Sequence, residues 1–254
     1  MLLKDKIAVV YGAGGKIGGA AARAFAREGA KVYLAGRTFD KVEAVAREIE
    51  QEGGTAEAAE VDALDLDAVE HHLEQAAGRS GRIDISFNAI GIRGDLQGTP
   101  LLEMAYEDFT LPVLTGVQTH FLTATAAARY MVRQRSGVIL TLSTSASVLS
   151  GRDRRYHLTG GFSTACLAIE GFTRSLAGEI GSQGVRVVCL RSDAIPETWG
   201  DPHAPARTYM TDGTALGRLP TLREVADAAV LTASDRASAI TGAIVNITCG
   251  SVMD

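Results

Sequence analysis

An α/β fold built on a doubly wound parallel sheet is the class this sequence predicts, and three observations predict it. Short β-rich runs alternate with longer helical stretches along all 254 residues. The first such run passes straight into a glycine-rich turn and then an alanine-rich helix. With 46% hydrophobic residues, 28 glycines and a mean hydropathy of +0.09, the composition suits one domain that buries both faces of a sheet.

The elements follow in a regular order. KIAVVYG (6–12) is the first strand, and the helix over 17–28 after it ends at Gly29, placed as a C-cap. KVYLAG (31–36), TAEAAEVD (55–62), IDISFNA (83–89), GVILTLS (137–143), VRVVCLR (185–191) and AIVNIT (243–248) complete a seven-stranded set. Helical patterns at 39–52, 65–78, 103–134, 163–181 and 221–233 lie between them. No repeat, low-complexity segment or linker interrupts the chain, so residues 1–254 are expected to form a single domain. The loop 193–217 holds Pro196, Pro202, Pro205 and the only tryptophan, Trp199; it is long for a connection and is expected to act as a substrate lid.

Composition also excludes partners. A net charge of −5, with no basic run interleaved with aromatics, argues against nucleic acid. Residues 1–15 carry too short an apolar run for a signal peptide, and nowhere do 18 uninterrupted apolar residues occur, so no membrane is expected. Cys166, Cys189 and Cys249 lack zinc-type spacing and suit reduced thiols of a cytoplasmic protein that holds no metal.

The chemistry begins in VVYGAGGKIGGAAARAF. Gly12 permits the tight turn, Gly14 and Gly15 let the backbone approach a pyrophosphate, and Gly18 allows close helix packing, while Lys16 and Ile17 open the helix whose N-terminal N–H groups favour an anion. A purely structural turn is the alternative.

At this point the chain resembles the short-chain dehydrogenase/reductase family over its full length. The matching stretches are YGAGGKIG (11–18) for TGxxxGxG, Asp62 after the third strand, NAIG (88–91) for NNAG, GVILTLS (137–143), EGFTRSLAGEIGSQGVRVVCLR (170–191) and ITGAIVNITCG (240–250). The resemblance implies a single Rossmann domain, a nicotinamide cofactor, a small-molecule substrate, and a homodimer or homotetramer formed through long helices. By position it implies that Asp62 and Ala63 face the adenine, that Asn88, Ala89 and Gly91 lie along the cofactor ribose, and that Ile195 and Thr198 reach the nicotinamide end. Independently, the helices 103–134 and 163–181 carry apolar residues on more than one face, as an oligomer interface requires.

Cofactor choice turns on the residue after the second strand, where a carboxylate accepts from a ribose 2′-hydroxyl and an arginine neutralises a 2′-phosphate. Arg37 stands there and favours NADP(H) over NAD(H), with a solvated loop arginine as the other reading. Lys16 replaces the family's second glycine; its side chain either crowds the pyrophosphate or pairs with it.

The departures fall on the proton chemistry. The family's catalytic tyrosine and the lysine four residues on, which lowers the tyrosine pKa, correspond here to Phe162 and Cys166, and no lysine follows Lys41. Gly116 replaces an asparagine that holds a water relay, and RSDAIPET (191–198) replaces a proline–glycine pair. Tyr156, 13 residues after Ser143 and close to Arg152, Arg154 and Arg155, is either a displaced acid or an ordinary loop tyrosine; His157 poses the same choice. Ser143, with Thr144 and Ser145, either hydrogen-bonds a substrate carbonyl or is a satisfied strand-end hydroxyl. Two functions remain: an NADP(H)-dependent oxidoreductase of small carbonyls or alcohols with an altered active site, or an inactive or non-redox protein of this fold that binds a cofactor or ligand.

Overall fold

The structure, a computed structural model, describes residues 1–149, 158–199 and 207–254. Strand β1 (Ile7–Tyr11) is buried at every position. Its side chains alternate, Ala8 and Val10 entering one apolar cluster and Ile7, Val9 and Tyr11 the other. A strand apolar on both faces belongs at the centre of a covered sheet. With β2 (Lys31–Gly36), β3 (Thr55–Glu60), β4 (Ile85–Asn88), β5 (Gly137–Thr144), β6 (Val185–Ser192) and β7 (Ile244–Ile247), it forms a seven-stranded sheet in the order β3-β2-β1-β4-β5-β6-β7. Every neighbouring pair is parallel.

Helices α1 (Lys16–Arg27) and α2 (Phe39–Gln51) pack on one face of the sheet, and α3 (Leu66–Ser80) and α4 (Tyr106–Gln134) on the other. After the short α5 (Ala146–Leu149), α6 (Gly161–Ile180) joins α3 and α4; after the short α7 (Arg207–Asp212), α8 (Leu222–Ala233) joins α1 and α2. The sheet is therefore doubly wound, with its winding reversed at β1.

Several boundaries differ from the sequence expectation for local reasons. The third strand stops at Glu60, not 62, because Asp62 folds back and its Oδ1 accepts from Leu64 N at 3.0 Å. Helix α4 starts at 106 rather than 103, since Glu103 N is held in a turn by Pro100 O at 2.9 Å. Gly29 is the residue after the α1 cap, with φ +92°, the left-handed conformation that glycine tolerates. Of the expected lid, 193–199 holds a 3-10 turn (Pro196–Thr198) and 207–212 is α7, while 200–206 lie outside the described residues.

A buried charge network ties α6 to the sheet. Arg191 on β6 pairs with Glu170 on α6 at 2.6 Å, and both side chains are 2% exposed. Ser143 and Ser147 donate to Glu170 Oε1 at 2.7 and 2.9 Å, while Arg191 Nη1 also reaches Asn246 and Asp254 at 3.0 and 2.8 Å. Removing either Arg191 or Glu170 strands the other's charge in the interior. Arg191→Met should therefore destabilise the protein by about 3–5 kcal/mol, read as a lower denaturant midpoint. Asp254→Asn, at the solvent-facing end of the network, should cost less than about 1 kcal/mol.

Candidate active site

The turn after β1 is shaped by two glycines. Gly12 has φ +76°, and a Cβ there would lie 2.9 Å from Ala89 O. A Cβ on Gly18 would lie 2.3 Å from Gly12 O, so only glycine lets α1 begin so close to the strand end. The N-cap, Gly15, has no side chain that could cap the first-turn N–H groups of α1, which can therefore meet an anion. Beside this turn lies a cleft of about 560 Å³, into which Gly12, Gly14, Gly15, Arg37, Asp62, Ala63, Ala89 and Gly91 all open.

The cleft's charge suits phosphate. Thr38 caps α2 with no side-chain hydrogen bond, so the N-terminus of α2 is also uncapped, and Arg37 and Lys41 flank it at the cleft wall. A glycine cradle that added Cβ atoms would fill, two uncapped helix starts and two cations make a donor set that fits the phosphates of a dinucleotide. Thr38 and Lys41 received no role in the sequence analysis, although their spacing after the second strand marks a helix start.

The other sequence candidates do different work. Asn88 is buried; its Nδ2 donates to Thr123 Oγ1 and its Oδ1 accepts from Ile90 N, both at 3.0 Å, so it shapes the turn that carries Ala89 and Gly91. Ile17 is half-buried and packs against the core on α1's inner face. Ile195 is buried and its carbonyl accepts from Thr198 N and Thr198 Oγ1 at 2.9 and 2.7 Å. Lys16 is exposed, and its ammonium donates to Glu197 O at 2.5 Å.

At the end of β5 the three hydroxyls separate. Ser143 is buried and donates to Glu170, and Ser145 is buried and donates to Asp193 at 2.9 Å. Thr144 alone is half-buried, with its Oγ1 3.5 Å from Cys166 Sγ. The strand-end hydroxyl beside α6 is therefore Thr144, whereas Ser143 fits its alternative reading as a satisfied hydroxyl. Cys166 is fully buried, which pushes its thiol pKa up. Tyr156, His157, Arg152, Arg154 and Arg155 lie outside the described residues.

Gly116 faces an apolar wall, since a Cβ there would meet Ile92 Cγ1 at 3.5 Å and Ala165 Cβ at 3.6 Å. Its carbonyl accepts from His120 Nδ1 at 2.9 Å, while His120 Nε2 accepts from Leu142 N at 3.3 Å. Those two bonds fix a neutral tautomer with the proton on Nδ1. Sequence reasoning passed over His120 because both of its partners are backbone groups.

A protein-family model described as enoyl-(acyl carrier protein) reductase matches residues 12–251. A crystal structure of a short-chain type dehydrogenase/reductase from Mycobacterium marinum superposes with a TM-score of 0.88 at 30% identity, covering 99% of this chain and 97% of that one. The chain belongs to the short-chain dehydrogenase/reductase family. Similar members include an L-rhamnose 1-dehydrogenase (NAD(P)(+)) of Azotobacter vinelandii, 34% identical over 253 residues and 96% and 95% of the two chains. A 3-oxoacyl-(acyl-carrier-protein) reductase of Chlamydia trachomatis is 28% identical over 251 residues, 98% of each. Membership in this dehydrogenase/reductase family brings a nicotinamide cofactor with it. Among the described residues no helix is long and apolar enough to cross a membrane, and no group of three or more His, Cys, Asp or Glu is placed to hold a metal ion.

Two buried histidines give this family member a pH signature. Burial pushes His120 down to about 4, against the opposing bond to Gly116 O. His72 also falls to about 4, first through burial and then through His71; neither of its ring nitrogens has a hydrogen-bond partner among the described residues. An unfolded histidine takes its proton near 6.5, so between there and about 4 the unfolded chain binds more protons than the folded one. The contribution of these two histidines to stability is thus fully present above pH 6.5 and is lost as the pH falls toward 4. Denaturation midpoints measured over that range should show the loss, and His72→Leu should reduce its slope by about one proton. Alkylation followed by peptide mass spectrometry should find Cys166 unmodified in the folded protein at neutral pH.

Proposed function

We propose that this chain binds NADP(H) across the C-terminal edge of its sheet and serves as an oxidoreductase of a small carbonyl or alcohol substrate, with a proton path that does not use the family's tyrosine–lysine pair. The observation that carries the reading is Arg37 with Lys41 at the uncapped start of α2, on the wall of the cleft that also holds the glycine turn. In this reading the two cations hold the 2′-phosphate, Asp62 and Ala63 border the adenine, and Gly14, Gly15 and the first turn of α1 receive the diphosphate. Ala89 and Gly91 lie along the ribose, on the turn that Asn88 braces, and Ile195 and Thr198 border the nicotinamide end. The bound cofactor supplies or accepts a hydride.

The chain's own contribution to proton transfer is reduced. Phe162 has no hydroxyl and the Cys166 thiol is buried, so neither donates as a phenol beside an ammonium does. Thr144 orients the substrate oxygen, and water or Tyr156 delivers the proton. Positioned acid–base catalysis is worth about 10²–10⁴ in rate, whereas alignment of bound reactants corresponds to effective molarities of roughly 10⁵–10⁸ M. Loss of the pair leaves a slow enzyme rather than none. The second reading, a protein that binds cofactor or ligand without turnover, is favoured by the same inert residues at 162 and 166.

The protein in this reading is a single domain working in the cytoplasm as a homodimer or homotetramer. The exposed Leu114 and Phe121 of α4 and Leu167 of α6 supply the apolar contact face, with the Phe121 and Phe172 rings 6.0 Å apart.

Two experiments test the proposal. Arg37→Ala should weaken NADPH binding by about 10–100-fold, the size of a lost charge-assisted contact, and leave NADH binding nearly unchanged; equal affinities for both cofactors in the parent would refute the preference. Phe162→Tyr with Cys166→Lys places a phenol and an ammonium four residues apart on one helix face, and should raise NADPH oxidation on a panel of small ketones by about 10²-fold or more. Either substitution alone should do much less. A folded, NADPH-binding double variant with the parent's rate would refute the assigned register or the presentation of a carbonyl there.

A further inference from the structure

Lys16 stands at the first position of α1, where the resemblance places a glycine, and it touches a part of the chain that a glycine cannot reach. Its ammonium donates to the carbonyl of Glu197 at 2.5 Å. That carbonyl belongs to the 3-10 turn Pro196–Thr198, which follows β6 and is held from its other side. Glu197 Oε1 accepts from Leu222 N at 3.2 Å, at the first residue of α8. Thr198 closes the turn on Ile195 O through both its N–H and its hydroxyl. The Lys16 side chain on the Glu197 carbonyl and the Glu197 carboxylate on Leu222 N thus join the starts of α1 and α8 to the loop after β6.

An ammonium has three N–H donors, and the contact with Glu197 uses one. The other two are the donors that an anion at the side-chain-uncapped N-terminus of α1 would use in the proposal below. Both Lys16 and Glu197 are exposed, so a bond between them alone adds little to stability. A lysine already held by a carbonyl has, however, lost part of its rotamer freedom before an anion arrives, which lowers the cost of using it as a ligand. The benefit is reciprocal: what the anion gains from a held lysine, the turn gains from the anion.

We infer that Lys16 is a clasp that couples diphosphate binding at the start of α1 to the ordering of the turn at 196–198, so that the phosphates of a dinucleotide, and not its nicotinamide, secure this side of the site. The inference rests on the cofactor reading above. Lys16 is a binding residue in this proposal, bonding the turn directly and the phosphate with its remaining donors.

Hydrogen exchange of peptides spanning 194–199 and the start of α8, combined with calorimetry, tests it with three ligands. NADPH carries both diphosphate and nicotinamide, ADP-ribose carries diphosphate without nicotinamide, and 2′-AMP carries the adenosine end alone. In the parent, NADPH and ADP-ribose should slow exchange at 194–199, and 2′-AMP should bind without doing so. Lys16→Ala and Lys16→Gly should weaken ADP-ribose by about tenfold, within the usual range of such couplings, and abolish the protection while leaving 2′-AMP affinity unchanged. Lys16→Arg should recover both. Unchanged ADP-ribose affinity and protection in Lys16→Ala, or equal protection by 2′-AMP in the parent, would overturn the clasp and leave the cofactor reading standing. Failure of the parent to bind any of the three would overturn both.

Discussion

The carbonyl of Gly12 occupies the space that a side chain at residue 18 would need, 2.3 Å from where its Cβ would lie, and this contact sets the first helix directly against the end of the first strand. Because the strands are parallel, the loops that follow them leave the sheet at one edge. Gly12 is also where the backbone after β4 comes closest, through Ala89 O and Ile90 N, each 2.9 Å from its own missing Cβ. The start of α2 arrives from β2 with Arg37 and Lys41, and Asp62 arrives from β3. A larger residue at 12 or 18 would move the α1 N-terminus away from these groups.

Among the described residues, Arg37 and Lys41 stand at the cleft wall beside the glycine turn, whereas the charges behind the end of β5 are paired with one another. Under Thr144 and Cys166 the charged groups are Glu170 and Arg191, and they satisfy one another with help from Ser143, Ser147 and Asp254. Arg191 is therefore no substitute for a missing lysine, because its charge is already matched. His120, buried and neutral, bonds the Gly116 carbonyl from within α4, and Ile92 fills the space beside Gly116. The buried polar groups described around Thr144 and Cys166 are thus bonded to one another or to the backbone.

Much of the frame was legible in the sequence. Runs such as IAVVY and VILTL are apolar on both faces, and only a covered parallel sheet accommodates a series of them between helices. The short α5 and α7 were not legible, since helices of four and six residues are too short to show a periodicity; α5 is held instead by Ser147 bonding Glu170, 23 residues away. The role of Ser143 was hidden for the same reason, because its partner Glu170 is fixed by Arg191 on a different strand. A glutamate on the apolar side of the 163–181 helix and an arginine ending an apolar strand form a signal that could have been paired. Lys16 was legible as a departure, but its partner was not, as Glu197 is 181 residues away and contributes only its carbonyl.

Calorimetric titration of the unsubstituted protein with NADPH tests the central claim most directly, since the cleft, the glycine turn and the two uncapped helix starts were all read as a dinucleotide site. A single saturable binding event, tighter for NADPH than for NADH, is the result expected. Absence of binding by either cofactor would contradict it, and would mean that the fold has kept the shape of the family's cofactor site without its use.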